Sequence, residues 1–79
     1  MTAIRVAALY KFVALPDYQA LQPQLQSLCD EQGLRGTLLL AAEGINGTLA
    51  GDEAAVQALL DFLAADGRFE GLSCKFSWA

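Results

Sequence analysis

The chain contains few of the side chains that catalyse reactions. It has two cysteines, Cys29 and Cys74, and no histidine among its 79 residues. The thiols are far apart and form no Cys-x-x-Cys pair, so a zinc site and thiol–imidazole catalysis both lack their usual groups. We therefore expect two buried, reduced cysteines that pack as small apolar side chains. The sequence predicts no metal site, no cofactor site and no catalytic residue.

The carboxylates favour a solvated surface over acid–base chemistry. Asp30-Glu31 and Asp52-Glu53 are adjacent pairs at predicted helix ends, whereas general acid–base catalysis needs carboxyl groups that reach a substrate in a cleft. The formal net charge is −4. This charge disfavours a free-standing nucleic-acid-binding protein, because neutralising phosphates needs a surplus of lysine and arginine.

The glycine-rich segment from Gly36 to Gly51 is the strongest local signal for structure. Its glycines supply the positive φ angles that a tight hairpin needs. Two registers compete: Asn46-Gly47 at the centre of a two-residue turn, or a reversal near Glu43-Gly44 with Asn46-Gly47 as a bulge in the return strand. We favour the second. It gives strands over residues 36–42 and 46–50, joined by a loop over residues 43–45.

The other elements follow from the spacing of apolar residues. Residues 3–12 and 72–78 alternate in the manner of strands. Apolar residues at 3,4 spacing predict a helix from about Tyr18 to Gln32, capped by Asp17 and ended by Gly33. A second helix is predicted between Asp52, its cap, and residues 66–67. Pro23 predicts either a kink in the first helix or a main helix that begins at Pro23.

The predicted order of elements is βαββαβ. Right-handed crossovers place both helices on one face of a four-stranded antiparallel sheet with strand order 4-1-3-2. This is the α+β, ferredoxin-like fold, in a single domain over residues 1–79, and Ala79 is expected to be either a domain boundary or the end of a fragment. We expect a cytoplasmic protein without membrane contact, because no apolar run is long enough to cross a bilayer and the N-terminus lacks a secretory pattern.

Strand alternation also predicts which side chains face the helices. Residues in phase with Ile4 and Val6 are expected in the core. The aromatic residues among them are Tyr10, Phe12, Phe76 and Trp78, of which Trp78 is expected to stay partly exposed. Buried aromatic residues would not stack on nucleobases as those of RNA-recognition sheets do. By the same alternation, four of the five cations are expected together on the open face of the sheet, namely Arg5, Lys11, Arg35 and Lys75.

Three segments of the chain resemble one known family. They are Ala8-Leu9-Tyr10-Lys11-Phe12, Gly36-Thr37-Leu38-Leu39-Leu40-Ala41 followed by Glu43-Gly44-Ile45-Asn46-Gly47-Thr48, and Lys75-Phe76-Ser77-Trp78-Ala79. Together they resemble the N-terminal domain of the bacterial rhodanese-domain tRNA uridine hydroxylases, over essentially the whole chain. The resemblance implies an acylphosphatase-like domain followed, in the full-length family, by a rhodanese domain with the active cysteine. It also implies an oxidoreductase that hydroxylates the wobble uridine of certain tRNAs to 5-hydroxyuridine.

The resemblance implies an accessory role for this chain. The chain ends before the rhodanese domain, and neither Cys29 nor Cys74 matches the active cysteine, so the fragment alone is expected to be inactive. We expect it to aid tRNA engagement or docking to the rhodanese domain, and the alternative is a purely structural protein-interaction module without RNA contact. The candidate sites are the predicted cationic face, Arg5, Lys11, Arg35 and Lys75, and the hairpin motif, Glu43, Gly44, Asn46 and Gly47.

The same fold also occurs in acylphosphatases, but their chemistry is not expected here. It needs a glycine-rich phosphate-binding loop with an arginine after the first strand, and an asparagine on the hairpin that positions water. The corresponding loop, residues 13–17, has neither a glycine nor a cation. We interpret Asn46 as a turn or bulge residue.

Overall fold

The structure is a computed structural model, and it describes residues 4–78. Ala3, predicted to begin the first strand, and Ala79, predicted to mark a domain boundary or the end of a fragment, lie outside the described residues. The elements in chain order are β1 (Arg5–Phe12), α1 (Tyr18–Gln32), β2 (Arg35–Ala41), β3 (Gly44–Gly51), α2 (Glu53–Ala64), a 3₁₀ turn (Gly67–Phe69) and β4 (Ser73–Trp78). The strands form one antiparallel sheet in the order β2-β3-β1-β4, which confirms the predicted ferredoxin-like fold.

Helix α1 begins at Tyr18 and continues through Pro23 to Gln32, so a main helix that begins at Pro23 is wrong. Gly33 ends the helix as predicted, with a φ of 70°. Capping by the side chain of Asp17 is wrong, because its carboxylate binds Arg68 and only its backbone carbonyl accepts from the helix. Asp52 likewise precedes α2 without a capping bond from its side chain.

The hairpin between β2 and β3 reverses at residues 42 and 43, close to the favoured position near Glu43-Gly44, and its loop is shorter than the predicted loop over residues 43–45. Ala41 pairs with Gly44, so only residues 42 and 43 form the turn. The pairing continues without interruption past Asn46 and Gly47, which lie opposite Leu39 and Leu38. The predictions of a turn or a bulge at Asn46-Gly47 are therefore both wrong.

Close backbone approach, more than a turn, explains the glycines of this motif. Gly44 has a φ of +150°, and a Cβ there would collide with the carbonyl oxygen of Lys11. Gly47 has no positive φ, but a Cβ there would lie 2.7 Å from the Cα of Leu38 on β2. Both positions thus require a residue without a side chain.

The alternation of β1 has the opposite phase to the one predicted. Ala7 and Leu9 are 0% and 1% exposed, whereas Tyr10 and Phe12 are 48% and 72% exposed. The phase of β4 is correct, since Phe76 lies opposite Ala7 on the helix side of the sheet. Phe76 nevertheless stays half-exposed, because β4 is an edge strand that the helices only partly cover.

The core lies between the sheet and the two helices. Its buried residues are Ala7, Leu9, Leu15, Leu21, Leu25, Cys29, Leu34, Ile45, Leu49, Ala55, Val56, Leu59, Leu63 and Phe69. Fully buried Leu15 fixes the loop after β1, and buried Phe69 fixes the 3₁₀ turn. Within residues 4–78, neither helix has the length and apolar character needed to span a bilayer.

Candidate functional site

The strand register separates the four cations that were expected on one face. Lys75 lies opposite Ala8, on the open face, and Arg35 lies at the start of β2 on that same face. Lys11 lies opposite buried Ile45, and Arg5 lies opposite Trp78, so both are on the helix side. The prediction of a four-cation open face is therefore wrong for Arg5 and Lys11, because it depended on the inverted phase of β1.

Arg5 and Lys11 bind the helical layer from the two ends of β1. The guanidinium of Arg5 forms an ion pair with Glu53 at the start of α2, with Nη1 and Oε1 3.1 Å apart. Its Cζ also lies 4.1 Å from the ring centroid of Phe76 and 4.9 Å from that of Trp78. Lys11 donates from Nζ to the backbone carbonyl of Glu70. Both cations thus have partners within the domain, although the Nε of Arg5 is buried without a hydrogen bond among residues 4–78.

Arg68 is also engaged within the domain. Its guanidinium lies between two carboxylates, 2.5 Å from Asp17 and 2.6 Å from Asp66. These hydrogen bonds lower the pKa of both aspartates and raise the pKa of Arg68. The link to Asp66 is local, but nothing in the sequence indicates the link to Asp17, 51 positions away.

The two cations that remain lie on a face with no strand carboxylate. All nine acidic residues of the chain lie outside the four strands, in helices, turns and loops. Arg35 and Lys75 are the charged residues that the strands present on the open face, and neither forms an ion pair among residues 4–78. The open face therefore has local positive charge on a domain whose net charge is negative.

An apolar groove lies on the open face, near the hairpin turn. Leu39, Asn46 and Tyr10 lie side by side on β2, β3 and β1, and Phe12 lies opposite Gly44 in the next row towards the turn. The rings of Tyr10 and Phe12 meet edge to face, with centroids 5.1 Å apart. These residues line a concave volume of about 240 Å³, and Lys11, Ala41, Glu43 and Ile45 also line it. Groove here means the surface lined by Tyr10, Phe12, Leu39, Gly44 and Asn46.

This placement brings together residues that sequence reasoning kept apart. Strand alternation predicts Tyr10 and Phe12 in the core, and the Asn-Gly pair predicts Asn46 in a turn or bulge. The core phase of Leu38 and Leu40 on β2 passes through Ile45 to β1, but only the strand registers of the structure show this. The hairpin motif thus contributes Glu43, Gly44 and Asn46 to the groove, while Gly47 lies on the helix side.

The two thiols are not activated. Cys29 is buried and Cys74 is half-buried, and both are free. Burial raises the pKa of both thiols, and the neighbouring carboxylate of Asp30 raises that of Cys29 further. A thiol is a nucleophile only as its thiolate, so these environments disfavour the reactive form of both cysteines. Among residues 4–78, no three histidine, cysteine or acidic side chains converge as metal ligands.

The loop after β1 uses its backbone donors within the fold. The N–H groups of Val13 and Leu15 donate to the carbonyl oxygens of Glu43 and Ala42 in the hairpin turn, at 2.9 and 2.8 Å. In a phosphate-binding loop such N–H groups would point at the ligand. Here these two hold the loop against the hairpin.

Comparison with known proteins identifies related sequences along nearly the whole chain. The family model described as UPF0176 acylphosphatase like domain matches residues 4–79. A tRNA uridine(34) hydroxylase of Agrobacterium fabrum is 57% identical over 74 residues, which cover 94% of this chain and 24% of that protein. Proteins of the same name from Rhizobium leguminosarum bv. trifolii and Bartonella bacilliformis are 55% and 53% identical, over 94% and 95% of this chain and 24% and 25% of theirs. The chain thus spans about a quarter of the length of these relatives and corresponds to their N-terminal domain.

Proposed function

Since the chain belongs to the UPF0176 acylphosphatase-like domain family, we propose that it is a non-catalytic domain of a tRNA-modifying oxygenase and that it helps to engage the tRNA. In this proposal the full-length protein hydroxylates the wobble uridine in the cytoplasm, and a rhodanese domain of the same chain supplies the active cysteine. The domain described here contributes binding surface. Its unactivated thiols and satisfied loop donors support a role outside the chemical step.

The observation that carries the proposal is the charge distribution of the open face. Arg35 and Lys75 project from strands that contain no carboxylate, whereas the acidic residues lie in the helices, turns and loops. A locally positive surface attracts an anionic backbone even when the net charge of the protein opposes binding. Phosphate contacts from such cations position an RNA without reading its sequence.

Lys75 and Lys11 provide a matched test of this role. They lie on the neighbouring strands β4 and β1, but on opposite faces of the sheet. In the full-length protein, Lys75→Glu and Arg35→Glu should each weaken tRNA binding and lower the salt dependence of log K by about one unit. Lys11→Glu makes the same change in charge on the helix side and should have a smaller effect. Thermal melting checks that each variant is folded. Equal tRNA affinity in the three variants and the unchanged protein would contradict the proposal.

A second candidate function is docking to another domain of the longer chain. Its support is the outer edge of β4, where Phe76 and Trp78 remain half-exposed beside the guanidinium of Arg5. An edge strand offers unpaired backbone groups to a further segment. Hydrogen exchange of residues 73–78 distinguishes the two roles. Docking requires stronger protection in the full-length protein than in the 79-residue chain, without added tRNA.

A further inference from the structure

We propose that the groove on the open face binds an unpaired nucleobase of RNA, which stacks on one of the rings of Tyr10 and Phe12 and meets the edge of the other, since the two ring planes are 77° apart. This inference rests on the proposed function, and it adds a site and a mode of recognition to it. The two rings are exposed side chains on β1, an inner strand of the sheet, and they need no movement of the core to reach a ligand. Base–aromatic stacking is a common way for proteins to hold single-stranded RNA.

The shape of the groove suits a flat ligand. Phe12 and Leu39 are the most exposed of its apolar side chains, at 72% and 60%. Between them lie Ala41 and Gly44, which pair with each other and keep the floor low. Gly44 has to stay without a side chain because a Cβ would collide with the backbone of Lys11. The concavity is therefore fixed by the packing of the hairpin against β1.

Two polar groups at the groove can bind the edge of a base. Asn46 lies directly between Leu39 and Tyr10 in the strand register, and its side chain is exposed. Its amide can both donate and accept hydrogen bonds, as can the hydroxyl of Tyr10. A planar ring with a polar edge matches this arrangement better than an aliphatic side chain, which would leave the amide and hydroxyl unpaired.

Charge sets the direction in which the RNA backbone leaves the groove. Glu43, in the hairpin turn, lines that end of the groove and repels phosphates from it. Lys75 lies one row away from Tyr10 in the other direction, and Arg35 lies at the far end of β2. The phosphates next to the bound base therefore run from the groove towards Lys75. A duplex cannot use the site, because its bases are stacked and paired with one another.

The test uses the 79-residue chain, short oligouridine and a duplex RNA of the same length. Oligouridine should bind more tightly than the duplex and shift the ring-proton resonances of Tyr10 and Phe12. Tyr10→Leu and Phe12→Leu should each weaken oligouridine binding by about 5- to 150-fold, since they keep apolar volume but remove the stacking surface. Phe12→Tyr keeps a ring and should retain the affinity. Thermal melting checks that each variant is folded.

The outcomes separate this inference from the proposed function. Three results would show that the groove is not a base site: oligouridine does not bind, the duplex binds as tightly as oligouridine, or the leucine variants bind oligouridine as tightly as the unchanged chain. Protection of the groove from hydrogen exchange in the full-length protein without RNA also overturns it, because another part of the chain then covers it. If stacking fails but Lys75→Glu still weakens tRNA binding, the proposed function stands. If the stacking test supports the base site but Lys75→Glu and Arg35→Glu do not change tRNA affinity, the proposed role of the two cations is contradicted.

Discussion

Arg68 and Asp17 are 51 positions apart, yet the guanidinium of Arg68 donates to both carboxylate oxygens of Asp17. The same guanidinium binds Asp66, whose carboxylate also accepts from the backbone N–H of Arg68. One side chain thus joins the segment before α1 to the turn after α2. The contact lies at the end of the helical layer, away from the open face, and its role is structural.

This contact predicts how stability depends on pH. The pKa values of Asp17 and Asp66 are lowered in the folded protein, chiefly by hydrogen bonds from Arg68. Their contribution is therefore fully present above the unfolded pKa, about 4, and it is lost as the pH falls through the lower folded values. Arg68→Gln should reduce stability at pH 7 and flatten its decline below pH 4, as measured by urea unfolding at several pH values.

The effect of Arg68→Gln should be small, because exposed ion pairs are screened by solvent. Arg35→Gln is the matched control, since it removes the same charge from a residue that forms no ion pair among residues 4–78. The control should keep the acid dependence of the unchanged chain. Identical pH profiles for Arg68→Gln and Arg35→Gln would show that the Asp17 contact adds nothing to stability.

The hairpin glycines predict a second stability effect. Gly44→Ala and Gly47→Ala should each destabilise the fold by roughly 1–3 kcal/mol, because the new Cβ must displace the backbone of the adjacent strand. Gly44→Ala adds the strain of its positive φ. Gly67→Ala is the control, since a Cβ there meets nothing within 4 Å. Chemical unfolding measures all three, and a Gly47→Ala variant as stable as Gly67→Ala would contradict the close approach of β2.

The fold was predictable because several local signals agree. The apolar spacing and Gly33 define α1, and the preference for right-handed crossovers leaves few topologies, among them the observed strand order β2-β3-β1-β4. The hairpin register was not predictable from its residues. Asn-Gly is a strong turn signal, but here the pair lies in a regular strand because Gly47 packs against the backbone of Leu38.

The groove could not be derived from β1 alone, because both of its faces contain apolar side chains. Burying the larger aromatic residues removes more apolar area from water, which favours the opposite phase. In the structure the helix side of β1 instead holds the smaller Ala7 and Leu9, which are 0% and 1% exposed. Charged Arg5 and Lys11 are tolerated in the core phase, since both lie at strand ends where their heads reach polar partners.

The thiols predict slow chemical modification. Because burial raises the pKa of Cys29 and Cys74, both stay protonated at pH 7. Alkylation by iodoacetamide should be slow in the folded chain and fast in denaturant, with Cys29 the slower of the two because it is buried. Peptide mass mapping follows each site separately. Rapid alkylation of Cys29 in the folded protein would contradict its burial.

The loop after β1 predicts the absence of acylphosphatase activity. Two of its N–H groups donate to the hairpin turn, and Asp17 at its end would repel a phosphate. The chain should therefore not hydrolyse acyl phosphates above the uncatalysed rate. A turnover that disappears in Asn46→Ala would contradict this prediction, because it would identify Asn46 as the residue that positions water.

Adjacent residues Leu9 and Tyr10 provide the most direct test of the strand phase on which the open face depends. Leu9 is 1% exposed beneath the helices and Tyr10 is 48% exposed on the other side of the sheet. Leu9→Ala should therefore lower the free energy of unfolding by about 2–5 kcal/mol through lost burial and a cavity. Tyr10→Ala removes a larger side chain but should cost less than about 1 kcal/mol, because that side chain contributes little to the core. Urea unfolding of both variants measures the difference. A larger loss of stability in Tyr10→Ala than in Leu9→Ala would mean that Tyr10 is buried in the core and does not line the groove.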